Sequence, residues 1–169
     1  MIEIFISIGS NLGNRRKNIE EAIKKMSEHI HIVQISRLCK TMPQENVQGG
    51  WFLNGVLYGK TALTPLQLLK FLQSIEEKLG RPLNHKKNTE RTIDLDILFY
   101  NGKVIKKKLL TIPHPQILKR KFVLRGLREI KREFVHPETG KTIDDLWREY
   151  GDTNNKKTGP RICGEDKKQ

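Results

Sequence analysis

The stretch that decides the fold is Arg91 to Gly102, RTIDLDILFYNG. Ile93, Leu95, Ile97 and Phe99 alternate with Asp94, Asp96, Leu98 and Tyr100. Alternation with period two is a strand pattern, and Asn101-Gly102 is a hairpin turn signal. The expected strand carries two aspartates two positions apart. Side chains at that spacing share one side, with Cα atoms roughly 6–7 Å apart. A solvated outer face would account for polar residues there. Against it, Leu98 and Tyr100 continue the same side, and Asp is a poor strand former. Two anions on a half-buried face raise each other's pKa unless a cation neutralises them.

Carboxylates without Cys or His neighbours suit a hard, oxygen-seeking cation, magnesium rather than zinc. Magnesium binds through one or two carboxylates plus substrate phosphates. The basic loop at 81–90 and the segment after residue 100 add positive charge nearby. Residues 101–133 hold 11 Lys or Arg against two Glu, a balance of +9 within a net +13 for the chain. A localised positive field points to an anionic partner. Together these features point to group transfer from a nucleotide polyphosphate.

Working outward, residues 2–8 are β-branched and aromatic and predict a buried first strand. Ile19, Ala22, Ile23, Met26 and Ile30 recur at helical spacing over 15–30. A second strand is expected over 32–40 and a third over 51–60. Thr64, Pro65 and Gln67 form a capping box ahead of Leu69, Leu72, Ile75 and Leu79, and Gly80 closes that helix. The strand over 91–100 is expected to turn at Asn101-Gly102 and pair with 103–110. Helices follow around 122–130 and after Thr142. The order implies an α+β fold, a ferredoxin-like βαββαβ sandwich with an additional hairpin strand and C-terminal helices. Residues 1–150 read as one domain and 151–169 as a polar C-terminal tail.

At 169 residues, with 36% hydrophobic and 30% charged side chains, the chain buries a core of its own without a staple. No apolar run approaches the roughly 20 residues of a membrane helix. MIEIFISIGSN lacks a basic n-region and reads as a strand, not a signal peptide. Cys39 and Cys163 have no metal-ligand spacing and fit free thiols in a reducing cytoplasm. GDTNNKKT in the tail fails as a phosphate loop, because Lys156 stands where the second Gly must be. A basic sheet that binds RNA is the rival reading, but no strand carries the aromatic run that such a sheet needs.

Five landmarks occur in one order: GSNLGNR after the first strand, TMP followed by FLNGV, IEEKLGR, RTIDLDILFY, and PHPQILKRKFVLRGLREI. In these, from about Ile4 to Trp147, the chain resembles the 6-hydroxymethyl-7,8-dihydropterin pyrophosphokinases of folate biosynthesis. The resemblance implies transfer of a pyrophosphoryl group from ATP to the hydroxymethyl oxygen of a reduced pterin, with release of AMP. It implies two magnesium ions on Asp94 and Asp96. Nucleotide-side positions are Gln73, Glu76, Arg91, Ile97, Thr111, His114 and Arg120. Pterin-side positions are Thr41, Met42, Pro43, Gln44, Phe52, Asn54 and Phe122. Phe52 and Phe122 would stack on the ring and Asn54 would bond its edge.

Arg91, Arg120 and Asp96 are the expected catalytic residues, the arginines offsetting charge as the phosphates separate. No dedicated general base stands out; either the alcohol needs none or Asp96 helps. The chain departs from many relatives at Asn88–Glu90, where they carry an aromatic-Gly-Pro. It also has Leu83 and Leu109 where some carry Arg, with Lys86, Lys87 and Lys108 nearby. A monomer in the cytoplasm is expected, acting on small molecules, with no nucleic acid or membrane partner. Loops 41–50 and 81–90 are expected to close over ATP. A relative that binds its ligands without turnover is the remaining alternative.

Overall fold

The computed structural model describes residues 1–42, 50–80 and 91–154. Seven strands and four helices follow one another as β1 (Ile2–Ser10), α1 (Arg15–Met26), β2 (Ile30–Ile35), β3 (Cys39–Thr41), β4 (Phe52–Thr61), α2 (Pro65–Lys78), β5 (Asp94–Tyr100), β6 (Ile105–Lys107), β7 (Leu110–Ile112), α3 (Lys121–Lys131) and α4 (Ile143–Asn154). The first four residues of the expected tail are therefore helical.

Local chemistry starts and stops the helices. The Asn14 side chain accepts from Lys17 N at 3.1 Å at the head of α1. The Thr64–Gln67 box forms in both directions ahead of α2, with Pro65 in the first turn, and Gly80 follows at φ +99°. Thr142 Oγ1 accepts from Asp145 N at 3.1 Å, and Asp145 Oδ2 accepts from Thr142 N at 3.3 Å, which closes the start of α4.

The main sheet is antiparallel, in the order β2-β4-β1-β5, with β3 paired to the same strand β4 as β2. Alternation along β1 divides the core. Ile4, Ile6 and Ile8 face α1 and α2, packing with Ile19, Ala22, Met26, Leu68, Leu72 and Ile75. Phe5 faces α3 and α4, with Val56, Val123, Leu124, Leu127, Ile143 and Leu146. The sheet is thus covered by helices on both faces.

The helix expected over 15–30 ends at Met26, and Ile30 opens β2 instead. Three further expectations change. The strand expected over 32–40 is two strands, broken at residues 36–38. Ser36 bridges the break: its N donates to Val56 O and its Oγ accepts from Val56 N, both at 2.9 Å.

The hairpin with 103–110 also does not form on β5. The turn is present, with Asn101 at φ 52°, but β6 pairs with β7 in a separate two-stranded sheet. The outer side of β5 is instead met by His114, whose N donates to Leu98 O at 3.0 Å. Lys106 and Lys107 would have gained no apolar face by pairing there.

The faces of β5 are the third change. Ile97 pairs with Ile6 but Phe99 pairs with Phe5, so Leu98 is an extra residue, a bulge. Ile93, Leu95 and Ile97 join the α1/α2 core, as expected. Beyond the bulge the phase flips: Phe99 joins Leu98 in the α3/α4 core, and Tyr100 goes to the first core.

Candidate active site

Asp94 and Asp96 lie on the face of β5 that looks toward α3 and α4, because Leu95 and Ile97 between them face the other core. Their neighbours on β1 are Gly9, opposite Asp94, and Ser7, opposite Asp96. Arg91 Nη1 donates to Asp94 Oδ2 at 2.7 Å. The backbone of Arg91 is itself fixed from β1's end: Arg91 N donates to Asn11 Oδ1 at 2.6 Å and Asn11 N donates to Arg91 O at 3.1 Å. Asn11 is buried, and its Nδ2 has no partner among the described residues.

Asp96 is held more loosely. The nearest basic groups to it among the described residues are Arg120 Nη1 at 3.5 Å and His114 Nε2 at 3.8 Å. Burial, and then the charge on Asp94, push the Asp96 carboxyl above the usual range; His114, Arg120 and Arg91 only partly counter this. His114 is moved down, chiefly by burial and also by Arg120, against the pull of the two aspartates. Its Nδ1 accepts from Gln116 N at 3.2 Å. A neutral His114 therefore carries its proton on Nε2, the nitrogen that faces Asp96.

The donor set fits magnesium. It offers carboxylate oxygens without thiolate, and the raised Asp96 marks a charge pair in want of a cation. Among the described residues no group of three or more His, Cys, Asp or Glu is arranged to hold a metal. Two carboxylates that leave the other positions to water and phosphate are the arrangement that magnesium uses.

The expected pterin-side positions Phe52 and Asn54 on β4, and Thr41 on β3, lie two and three strands from β5 on the same face. Asp94, Gly9, Asn54 and Cys39 form one row across β5, β1, β4 and β3. Asn54 is buried, and its Nδ2 donates to Thr41 Oγ1 at 2.6 Å. Its Oδ1 lies over Gly9, 2.6 Å from where a Cβ would stand, and Phe52 Cδ1 is 3.9 Å from the same point. Gly9 thus gives Asn54 its room. Phe122, half-buried at the head of α3, packs against the second core. Met42 is exposed. Pro43, Gln44 and nearly all of loops 41–50 and 81–90 lie outside the described residues.

The other positions expected on the nucleotide side are spread out. Gln73 and Thr111 are exposed on α2 and β7. Ile97 is buried in the first core, on the opposite face of β5 from the aspartates. Glu76 is buried, and its Oε1 accepts from Leu95 N at 2.7 Å, so it supports the strand between the two aspartates from behind. Gly9 and Asn11 were not among the expected site residues. A glycine inside a strand pattern, as in Ile8-Gly9-Ser10, is the local signal of close approach.

Two neighbouring carboxylates on β5, with two arginines and a histidine gathered around them, are the groups of an enzyme class that acts on a nucleotide co-substrate. Residues 5–132 match the model of the family described as 7,8-dihydro-6-hydroxymethylpterin-pyrophosphokinase, or HPPK, and the chain belongs to that family. It is 39% identical over 146 residues to the 2-amino-4-hydroxy-6-hydroxymethyldihydropteridine pyrophosphokinase of Aquifex aeolicus, covering 86% of this chain and 91% of that one. To the Haemophilus influenzae protein of the same name it is 35% identical, covering 95% of this chain and 100% of that one.

Some relatives are much longer. The chain is 46% identical to the folic acid synthesis protein fol1 of Pneumocystis carinii but spans 19% of its length. The wild-type HPPK-DHPS structure of Plasmodium falciparum shares the fold at TM-score 0.72 and 17% identity, over 92% of this chain and 46% of that one. Among the described residues no helix is long and apolar enough to cross a membrane.

Proposed function

We infer that the chain transfers the pyrophosphoryl group of ATP to the hydroxymethyl oxygen of 6-hydroxymethyl-7,8-dihydropterin, releasing AMP, as a step of folate biosynthesis. The observation that carries this is the Asp94–Asp96 pair, with Asp94 in the same row of the sheet as the Asn54 that bonds Thr41, in a chain of the HPPK family.

Asp94 and Asp96 would hold magnesium, with two ions the expected number. Bound there, magnesium would supply charge to offset the triphosphate. Arg91 steadies Asp94 and faces the same charge. Arg120 and His114 Nε2, within 4 Å of Asp96, are placed to donate to phosphate oxygens as the transferred group separates. Asn54 uses Nδ2 on Thr41, which leaves Oδ1 to accept from a pterin N–H. Phe52, beside Gly9, supplies a ring for stacking, and Phe122 a second. Gln73 and Thr111 are the exposed positions left for the nucleotide side, with Glu76 and Ile97 supporting β5 from behind it, and Met42, Pro43 and Gln44 are the further positions for the pterin side. Rate comes from alignment and electrostatics rather than covalent catalysis.

The strand order, with β1 between β4 and β5 and β2 outside β4, supports the ferredoxin-like reading, with α3 and α4 added on the second face. A cytoplasmic monomer is the accompanying proposal. The test is AMP release from ATP and hydroxymethyldihydropterin, with and without magnesium, in the wild type, Asp94→Ala and Asp96→Ala. Magnesium-dependent release that both variants lose supports the reading. Absence of release by the folded wild type, or release that survives either change, overturns it.

A further inference from the structure

The residue just before Phe52 is held by two cations. The Arg15 guanidinium lies 4.2 Å from the centroid of the Trp51 ring, and Lys40 Nζ lies 4.6 Å from it. Arg15 Nε also donates to the Trp51 carbonyl at 2.8 Å. Among the described residues neither cation forms an ion pair with a carboxylate. Gly50 completes the arrangement: a Cβ there would stand 2.9 Å from Arg15 Nη2, so the guanidinium lies where a side chain would intrude. Lys40 belongs to β3, next to Thr41, and pairs with Leu53 across to β4. The first residue of α1 and the middle residue of β3 therefore converge on the point where the chain enters β4.

We propose that Arg15 is a positioning residue for the pterin end of the site, fixing the ring and the carbonyl of Trp51 so that Phe52 enters β4 at one place and angle beside Asn54. The inference rests on the reading of Phe52 and Asn54 as pterin-side residues. The physical case is pre-organisation. Phe52 is half-buried and heads its strand, where pairing constrains it from one side only. A charged donor on the preceding carbonyl, together with a cation on the preceding ring, removes the freedom that remains. Arg15 is 36 residues from Trp51 in sequence, so it ties the turn after β1 to the pterin wall. Gly9 of that same β1 gives Asn54 its room.

The test is steady-state kinetics with each substrate varied in turn, on Arg15→Ala, Arg15→Lys and the neighbouring exposed Arg16→Ala. A lost charged hydrogen bond plus a lost stack corresponds to roughly tenfold or more in affinity. Arg15→Ala is expected to raise KM for the pterin by about that factor, with KM for ATP and kcat within about twofold. Arg15→Lys keeps a charge but loses the Nε donor, so it falls between; Arg16→Ala matches the wild type. A pterin KM within twofold of wild type in both Arg15 variants overturns the proposal. So does a parallel rise in both KM values together with a lower melting temperature, which marks general loosening. Should Arg15→Ala fail to fold, Arg15→Lys carries the same comparison. An inactive wild type refutes the function itself and takes this inference with it; an active wild type matched by both variants refutes this inference alone.

Discussion

Gly9→Ala tests the site's geometry with one added methyl group. The new Cβ would meet Asn54 Oδ1 at 2.6 Å, about 0.8 Å inside ordinary contact at 3.4 Å. The neighbouring β-strands hold both backbones, so the amide must turn. Turning it breaks the 2.6 Å bond from Asn54 Nδ2 to Thr41 Oγ1 in a buried place. An unmade buried hydrogen bond costs about 1–3 kcal/mol. Urea unfolding should show a loss of that size. The pterin KM should rise about tenfold or more, because the acceptor left for the ring has moved, while the ATP KM stays near wild type. Gly102→Ala, with open space around it and no positive φ, should stay within about 0.5 kcal/mol of wild type. Adding Asn54→Ala to Gly9→Ala should recover part of the stability but none of the pterin affinity, a coupling that a double-mutant cycle measures. Wild-type pterin affinity in Gly9→Ala would refute the placement of Asn54 against the substrate.

Asp96→Asn should abolish AMP release yet raise the melting temperature of the metal-free protein slightly, since it removes a like charge that Asp96 holds at a cost; magnesium should then stabilise the wild type in a melt but not the variant. Glu76→Ala leaves Leu95 N without its 2.7 Å acceptor and should lose about 1–3 kcal/mol in urea unfolding, whereas Glu76→Gln keeps most of it. Glu3 is held below the usual carboxylate range, first by the hydrogen bond from Tyr58 and then by Lys131. A depressed folded pKa gives stability that is present above the unfolded value and lost as pH falls through the folded one. Melting temperatures across the acid range should therefore decline less steeply in Glu3→Gln than in wild type.

The elements that could be read from sequence were those whose signals are local. Ile4, Ile6 and Ile8 announce β1, and the Thr64–Gln67 box announces α2, because period and capping act within a few residues. The aspartates were legible because charge in an apolar strand is conspicuous. The bulge at Leu98 was not, because Ile97 to Tyr100 are all apolar and no polar residue marks where the phase turns. Ser36 hid the break between β2 and β3 in the same way, since its role depends on Val56, 20 residues away. Asn11 and Gly9 act through Arg91 and Asn54 respectively, partners that only strand register brings near. Glu76 carries no sign in its own helix that Leu95 N will meet it.

The bulge at Leu98 separates β5 into two modules that share one chain. Residues 94–97 carry the two aspartates on one face and Leu95 and Ile97 on the other, and 98–100 anchor the strand between two cores. A change of donor groups in the first module need not be matched by repacking in the second, because the extra residue absorbs the mismatch in phase. Regular alternation carried straight through Leu98 would send Phe99 to the α1/α2 side and Tyr100 toward α3; the bulge keeps Phe99 opposite Phe5. If the proposed metal role holds, Asp94 and Asp96 are the two positions to exchange for a different metal preference, while Leu95 and Ile97 between them and the three residues from Leu98 onward stay fixed as core.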